Sequence, residues 1–276
     1  MAEVCHTFGM DALVSNVVSG TAAGAAGRPL PLGARPGRWW PLAARLGLAV
    51  GLAALGLVAF AVDLPVASWF RQHSLPGDLA RLVDFSEVFA HGLGAAVVLG
   101  VTVSLDPLLR QIGQLKAARR DVIRLCLAAY AGGLVVDVIK ALVVRVRPRA
   151  CDFATLDSAF DTFGVAAATM VAGSPAEGGL RKSVELMSFP SGHAAVAAGL
   201  ATALAWKYPH GRWVFVGIAA CAAFQRVASS AHFPSDVAWG AAIGVAAAAC
   251  CLGTASPSVA EAGPPSGAAM VPTAKA

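Results

Sequence analysis

Uncharged, apolar runs recur along the chain at lengths that approach the thickness of a bilayer. The first, Leu46–Val62, has 17 uncharged and nearly all apolar residues behind Arg38, Trp39, Trp40 and Arg45, an aromatic and basic anchor suited to a membrane surface. Further runs cover Val88–Leu105, Val122–Val144, Ala194–Trp206, Trp213–Phe224 and Val237–Leu252. Each predicts a helix. The fourth and fifth are short, since 13 residues of helix reach only about 20 Å across a hydrocarbon core of about 30 Å. Extending them to 191–208 and 213–231 restores the length and brings Ser191, His193 and Arg226 to helix ends, where polar groups are expected to line a cavity.

Composition turns this pattern into a fold class. Hydrophobic residues make up 57% of the 276 and charged residues 13%, with mean hydropathy +0.67; soluble domains carry about 25% charged residues. The expectation is an all-α, integral membrane bundle of six transmembrane helices with its site at one membrane face. Residues 1–37, rich in Gly and Pro and without a signal-peptide pattern, are expected to be a flexible tail. Residues 38–252 form the membrane domain, with a long extramembrane loop at 149–189, and 253–276 form a disordered tail. The loop reads either as an exposed linker or as a lid that uses Phe153, Phe160 and Phe163. Its acids, Asp152, Asp157 and Asp161, read as solvating groups more readily than as a cation site.

The net charge of +5 speaks to topology and anionic lipid, and without a basic stripe interleaved with aromatics it gives nucleic-acid binding little support. Eleven basic residues fall on the side of the termini: Arg28, Arg35, Arg38, Arg45, Arg110, Lys116, Arg119, Arg120, Lys207, Arg212 and Lys275. Eight fall on the other: Arg71, Arg81, Arg145, Arg147, Arg149, Arg181, Lys182 and Arg226. Both termini are therefore expected in the cytoplasm of a plasma or inner membrane, with the site outside. Cys126, Cys221, Cys250 and Cys251 lie inside apolar runs, Cys5 and Cys151 outside them, and no disulfide framework is legible.

Three polar clusters interrupt the runs, and all three fall on that outer face. Lys140, Arg147 and Arg226 are cations without matching carboxylates, and Ser191-Gly192 at a helix start offers backbone N–H groups and a positive dipole end. Together they predict a phosphate site. Taken alone, Lys140 would snorkel or pair with Asp137, and Arg147 and Arg149 would bind anionic headgroups. Two histidines and an aspartate exceed what binding needs. His232, with Asp236 four residues on, is suited to in-line attack as a neutral imidazole, leaving His193 to protonate the departing alkoxide. His91 reads as a buried polar residue of the second span, and His6, His73 and His210 as surface residues.

Lys140, six residues and Arg147-Pro148, then Pro190-Ser191-Gly192-His193, then Arg226, five residues, His232, three residues and Asp236 resemble the type-2 phosphatidic acid phosphatase superfamily, whose pattern is KxxxxxxRP, PSGH and SRxxxxxHxxxD. The resemblance covers Leu46 to Leu252. It departs at Gln225, where the family has serine; Gln still donates a hydrogen bond. The resemblance implies that His232 becomes phosphohistidine, Asp236 is its partner, His193 is the acid, and Lys140, Arg147, Ser191, Gly192 and Arg226 bind the phosphate. The function it implies is metal-independent hydrolysis, without a cofactor, of a lipid phosphomonoester or pyrophosphate. Phosphatidic acid, phosphatidylglycerol phosphate, polyprenyl diphosphate and phosphorylated lipid A are candidate substrates. Transfer to an acceptor other than water, and a non-catalytic lipid-phosphate binder or transporter, remain as alternatives. Vanadium haloperoxidases share the motif plan but are soluble, unlike this composition.

Overall fold

The computed structural model describes residues 40–164 and 184–258. The expected tail at 1–37, the centre of the 149–189 loop and residues 259–276 lie outside the described residues. Within them the chain is all-helical: α1 (Leu42–Ala59), α2 (Asp63–Gln72), α3 (Gly77–Ser86), α4 (Gly92–Leu105), α5 (Lys116–Leu142), α6 (Gly192–Lys207), α7 (Arg212–Ala228) and α8 (Pro234–Leu252). Three of these, α1, α5 and α8, are long and apolar enough to cross a membrane. At 16 and 17 residues, α6 and α7 fall just short of the 18 that such a span takes.

The run expected as a second span is broken. A 3-10 turn at Glu87–Ala90 follows α3, and the pair Gly77–Ala90 and Gly92–Leu105 bends by 75°. Apolar side chains continue through the bend, so hydropathy does not register it. Glycine permits it, because a β-carbon on Gly94 would lie 1.7 Å from the Val88 carbonyl oxygen. His91 consequently caps α4 as an exposed residue at an elbow, and is not buried within a span.

Glycine also explains how the site-bearing helices come together. α8 packs on α1, α5 and α6, and α6 packs on α5 and α7. A β-carbon on Gly132 would meet Gly244 Cα at 2.6 Å, and one on Gly240 would meet the Ser191 carbonyl oxygen at 2.2 Å. Such small-residue contacts are how helices associate where lipid supplies no hydrophobic drive. We expect Gly240→Ala to destabilise the bundle by about 1–3 kcal/mol, the usual cost of overpacking, and to lower activity by displacing Ser191. Gly47→Ala, where nothing lies within 4 Å, should leave both unchanged. Thermal unfolding in detergent alongside phosphate release checks the pair.

At the end of the bundle away from the site, polar ties hold the residues just after α8. Buried Arg45 hydrogen-bonds the Gly253 carbonyl, Trp206 donates to the Ala255 carbonyl at 2.8 Å, and the Ser258 N–H donates to Asp121 at 2.7 Å. The tail expected to begin at 253 is therefore anchored as far as 258. Arg45, expected as a headgroup anchor, is instead an internal tie.

Candidate active site

The interval between Arg226 and His232 is set by the way α7 ends. The Ala231 N–H donates to the Arg226 carbonyl (3.1 Å) and the Ser230 N–H to that of Val227 (2.9 Å), with Ser230 at φ +52°. These paired bonds around a left-handed residue form a Schellman cap. His232 adds a third bond to the Arg226 carbonyl, at 3.0 Å. Five intervening residues are the length of this one cap, which turns the histidine back over the helix end.

α8 begins two residues later with Pro234 in its first turn, where a missing N–H costs nothing. Asp236, in that first turn, accepts from the Phe233 N–H at 2.9 Å, as acidic residues at a helix start do. Its carboxylate is fully buried and also accepts from Ser188 Oγ (2.5 Å) and Arg145 Nη1 (2.5 Å). His232 Nδ1 faces Asp236 Oδ2 at 3.7 Å, longer than a hydrogen bond, and finds no other partner among the described residues. Nε2 therefore points away from Asp236. Only 2% exposed, the imidazole is held down to about 4 by burial; Asp236 pulls upward against this, while Arg147 and Lys140 push further down. At neutral pH the ring is uncharged and one nitrogen carries a free lone pair.

Arg145 is the residue that sequence reasoning missed. It follows α5 in an extended Val143–Val146 stretch, pairs by backbone with Leu186, and is fully buried. Its guanidinium bonds Asp63 (2.7 Å), Asp236, Ser235 (2.8 Å) and Thr162 (3.0 Å), and lies over the rings of Phe233 and Phe163 at 4.2 and 4.5 Å. Asp63 in turn accepts from the Ser235 N–H at 2.9 Å. A buried Asp63–Arg145–Asp236 relay thus fixes the start of α8. The described part of the 149–189 loop folds onto it, with Phe163 against Arg145 and Phe160 stacked on Phe60.

The second motif joins the third directly. The Ser191 N–H donates to the Asp236 carbonyl at 2.9 Å, and Ser191 Oγ caps α6 through the Ala194 N–H at 3.4 Å. Gly192 leaves room for Lys140, whose Nζ lies 3.9 Å from where a glycine β-carbon would be. Lys140 has no ion pair with Asp137 among the described residues, so the pairing that sequence allows is not formed. Arg147 Nε donates to the Val184 carbonyl at 3.0 Å, and exposed Arg149 pairs with Glu185 at 2.8 Å, away from the cluster.

A second group unread in the sequence comes from the elbow. Arg226, expected to lack a matching carboxylate, has one in Glu87, to which its Nη1 donates at 2.6 Å, and Gln225 donates to both Asp84 and Glu87 at 3.2 Å. The Gln225 departure is therefore a working donor that anchors the elbow carboxylates. His193 Nε2 lies 3.9 Å from Glu87 Oε1, and its ring meets that of His91 edge-on, with centroids 4.9 Å apart. Among the described residues, Glu87, His91 and His193 place their ligand atoms within 4.8 Å of one another, the geometry of a metal-holding group. Asp152 and Asp161 instead cap short turns of the loop. Burial pushes the Cys151 thiol up to about 12, leaving it inert.

An apolar groove of about 550 Å³ runs between α1, α6, α7 and α8. Its lining includes Ala194, Val227 and Pro234, chain neighbours of His193, Arg226 and His232. The groove therefore passes next in the chain to His193 and Arg226, while Lys140 and Arg147 act on His232, an arrangement that can hold a phosphate beside a neutral imidazole.

Comparison with known proteins found no match among curated proteins or solved structures. Residues 121–257 match the PAP2 superfamily, a stretch that includes every residue of the three motifs and leaves out Asp63 and Glu87. It is through this segment that the chain belongs to the PAP2 superfamily, whose chemistry is phosphatase-type action on phosphate esters.

Proposed function

We propose that the protein is a multi-pass membrane lipid phosphatase that acts at the non-cytoplasmic face through a phosphohistidine, without a metal or other cofactor. The observation that carries this reading is His232, neutral and buried, with Nδ1 toward Asp236 and Nε2 without a partner among the described residues. Lys140, Arg147, Arg226 and the α6 N-terminus at Ser191-Gly192 hold the non-bridging oxygens. The Nε2 lone pair forms a bond to phosphorus as the ester P–O bond breaks, and His193 gives its proton to the departing oxygen. Water then attacks the phosphohistidine, losing a proton to His193, and inorganic phosphate leaves. α6 and α7 complete a six-span bundle together with α1, the elbow pair, α5 and α8.

The groove selects lipid by taking a chain while the phosphate meets the cations. Phosphate release in EDTA from lipid phosphates and from p-nitrophenyl phosphate tests this. The lipid should be preferred at least tenfold in kcat/KM, and Ala201→Trp, which fills the groove, should depress lipid turnover and spare the soluble ester. Equal turnover of both esters overturns the lipid assignment. Absence of release with lipid-phosphate binding retained favours the binder.

A further inference from the structure

Glu87 and His91 have no role in the reaction just described, yet with His193 they make a specific donor set. Glu87 offers a carboxylate oxygen and His91 and His193 an imidazole nitrogen each, all within 4.8 Å. Two imidazoles and one carboxylate, with a fourth position open, are the ligand set of three-ligand zinc sites, where bonds of about 2.0–2.2 Å place donors roughly 3.4 Å apart. Closing from 3.9–4.8 Å requires small side-chain rotations. His91 is exposed and the His193 and Glu87 side chains are about a third exposed, which leaves room for them, although Glu87 must give up its bond to Arg226.

Charge at this place is of both signs: Asp84 and Glu87 face Gln225, Arg226 pairs with Glu87, and Lys140 also acts on His193, so the donor set carries the selectivity. The nitrogen donors discriminate among ions. Magnesium and calcium prefer all-oxygen shells, whereas imidazole suits zinc and its neighbours in the transition series.

We propose that Glu87, His91 and His193 form an inhibitory site for a divalent transition-metal cation of the zinc class. Nε2 of His193 is the nitrogen that faces Glu87. An ion between them takes the Nε2 lone pair, so this nitrogen can neither carry nor return a proton while the ion is bound. The same ion draws Glu87 from Arg226. The catalytic phosphate site stays intact, and the reaction stops because its acid is withdrawn. The inhibitory consequence rests on His193 serving as the acid; the binding site itself does not.

The test uses full-length protein in detergent, freed of metal with EDTA and then dialysed, with zinc and cobalt as probes. His91→Phe keeps an aromatic edge against His193 and removes one ligand. Calorimetry should show a zinc site in the wild type that His91→Phe weakens at least tenfold, given that even partners behind the ligands change affinity 10–100-fold. Cobalt should give the visible bands of a low-symmetry nitrogen–oxygen site in the wild type only. In EDTA the two proteins should release phosphate equally, and the zinc concentration that halves release should rise at least tenfold in the variant. Zinc binding unchanged by His91→Phe would place the ion on cysteines or elsewhere and overturn the site. Zinc that binds at the site and raises phosphate release would overturn its inhibitory role. Zinc binding lost in the variant, with neither protein hydrolysing any lipid, would uphold the site and remove the phosphatase reading instead.

Discussion

Substituting His232 by alanine is expected to lower phosphate release by at least ~10³-fold, because the loss removes the proposed nucleophile and not merely a contact. His193→Ala should behave differently, and the difference separates the two imidazoles. With p-nitrophenyl phosphate, whose leaving group needs little protonation, His193→Ala should still phosphorylate His232 but release phosphate slowly. Rapid quenching of this variant should trap an acid-labile, base-stable phosphoenzyme that His232→Ala never forms. A phosphoenzyme in His232→Ala would overturn the assignment. The pH profile adds a further check. Burial holds His232 down to about 4, below the ordinary histidine value of about 6.5. Its lone pair is therefore available above about pH 4 and is lost as pH falls through that value. The acid limb of kcat/KM due to His232 should lie near pH 4, and its displacement to 6.5 would show an imidazole exposed to water.

What the sequence disclosed and what it hid divide along contact order. The PSGH string, the Arg226–His232 interval and Asp236 are legible because each is a local device: a helix N-cap, a Schellman cap and an acid in a helix's first turn. Hydropathy likewise locates α1, α5 and α8, whose apolar runs are long. The elbow at His91 escaped it because the bend depends on glycine clearance at Gly94 and leaves the apolar run intact. Arg145 and Arg45 escaped for another reason. A buried arginine and a headgroup-binding arginine look alike in one dimension, and the partners of Arg145 lie 82 and 91 residues away. Removing both from the topology tally takes one residue from each side, so the bias behind the expected outer site keeps its sign. Glu87 and Gln225 are separated by 138 residues, and only the bend of α3 into α4 makes them neighbours.

Arg145 supplies the second large expected effect. Arg145→Ala should destabilise the protein by about 3–5 kcal/mol, the range for breaking a buried ion pair from one side, since Asp63 and Asp236 would remain buried without their shared cation. Thermal unfolding in detergent measures this. Activity should fall as well, although Arg145 is not proposed to touch substrate: it acts by aiming Asp236 at His232 and is a positioning residue. The two losses can be separated. Arg145→Met with Asp63→Asn removes the cation and one buried charge together while keeping apolar contact with Phe163 and Phe233. Much of the stability should return, as it does when buried ion pairs are replaced by apolar groups of similar volume. Phosphate release should stay depressed in kcat with KM little changed, because the cations proposed to bind phosphate are untouched while Asp236 loses its anchor. Recovery of full kcat in the refolded double variant would mean that Ser188 and the Phe233 N–H suffice to hold Asp236, and would reduce Arg145 to a structural tie.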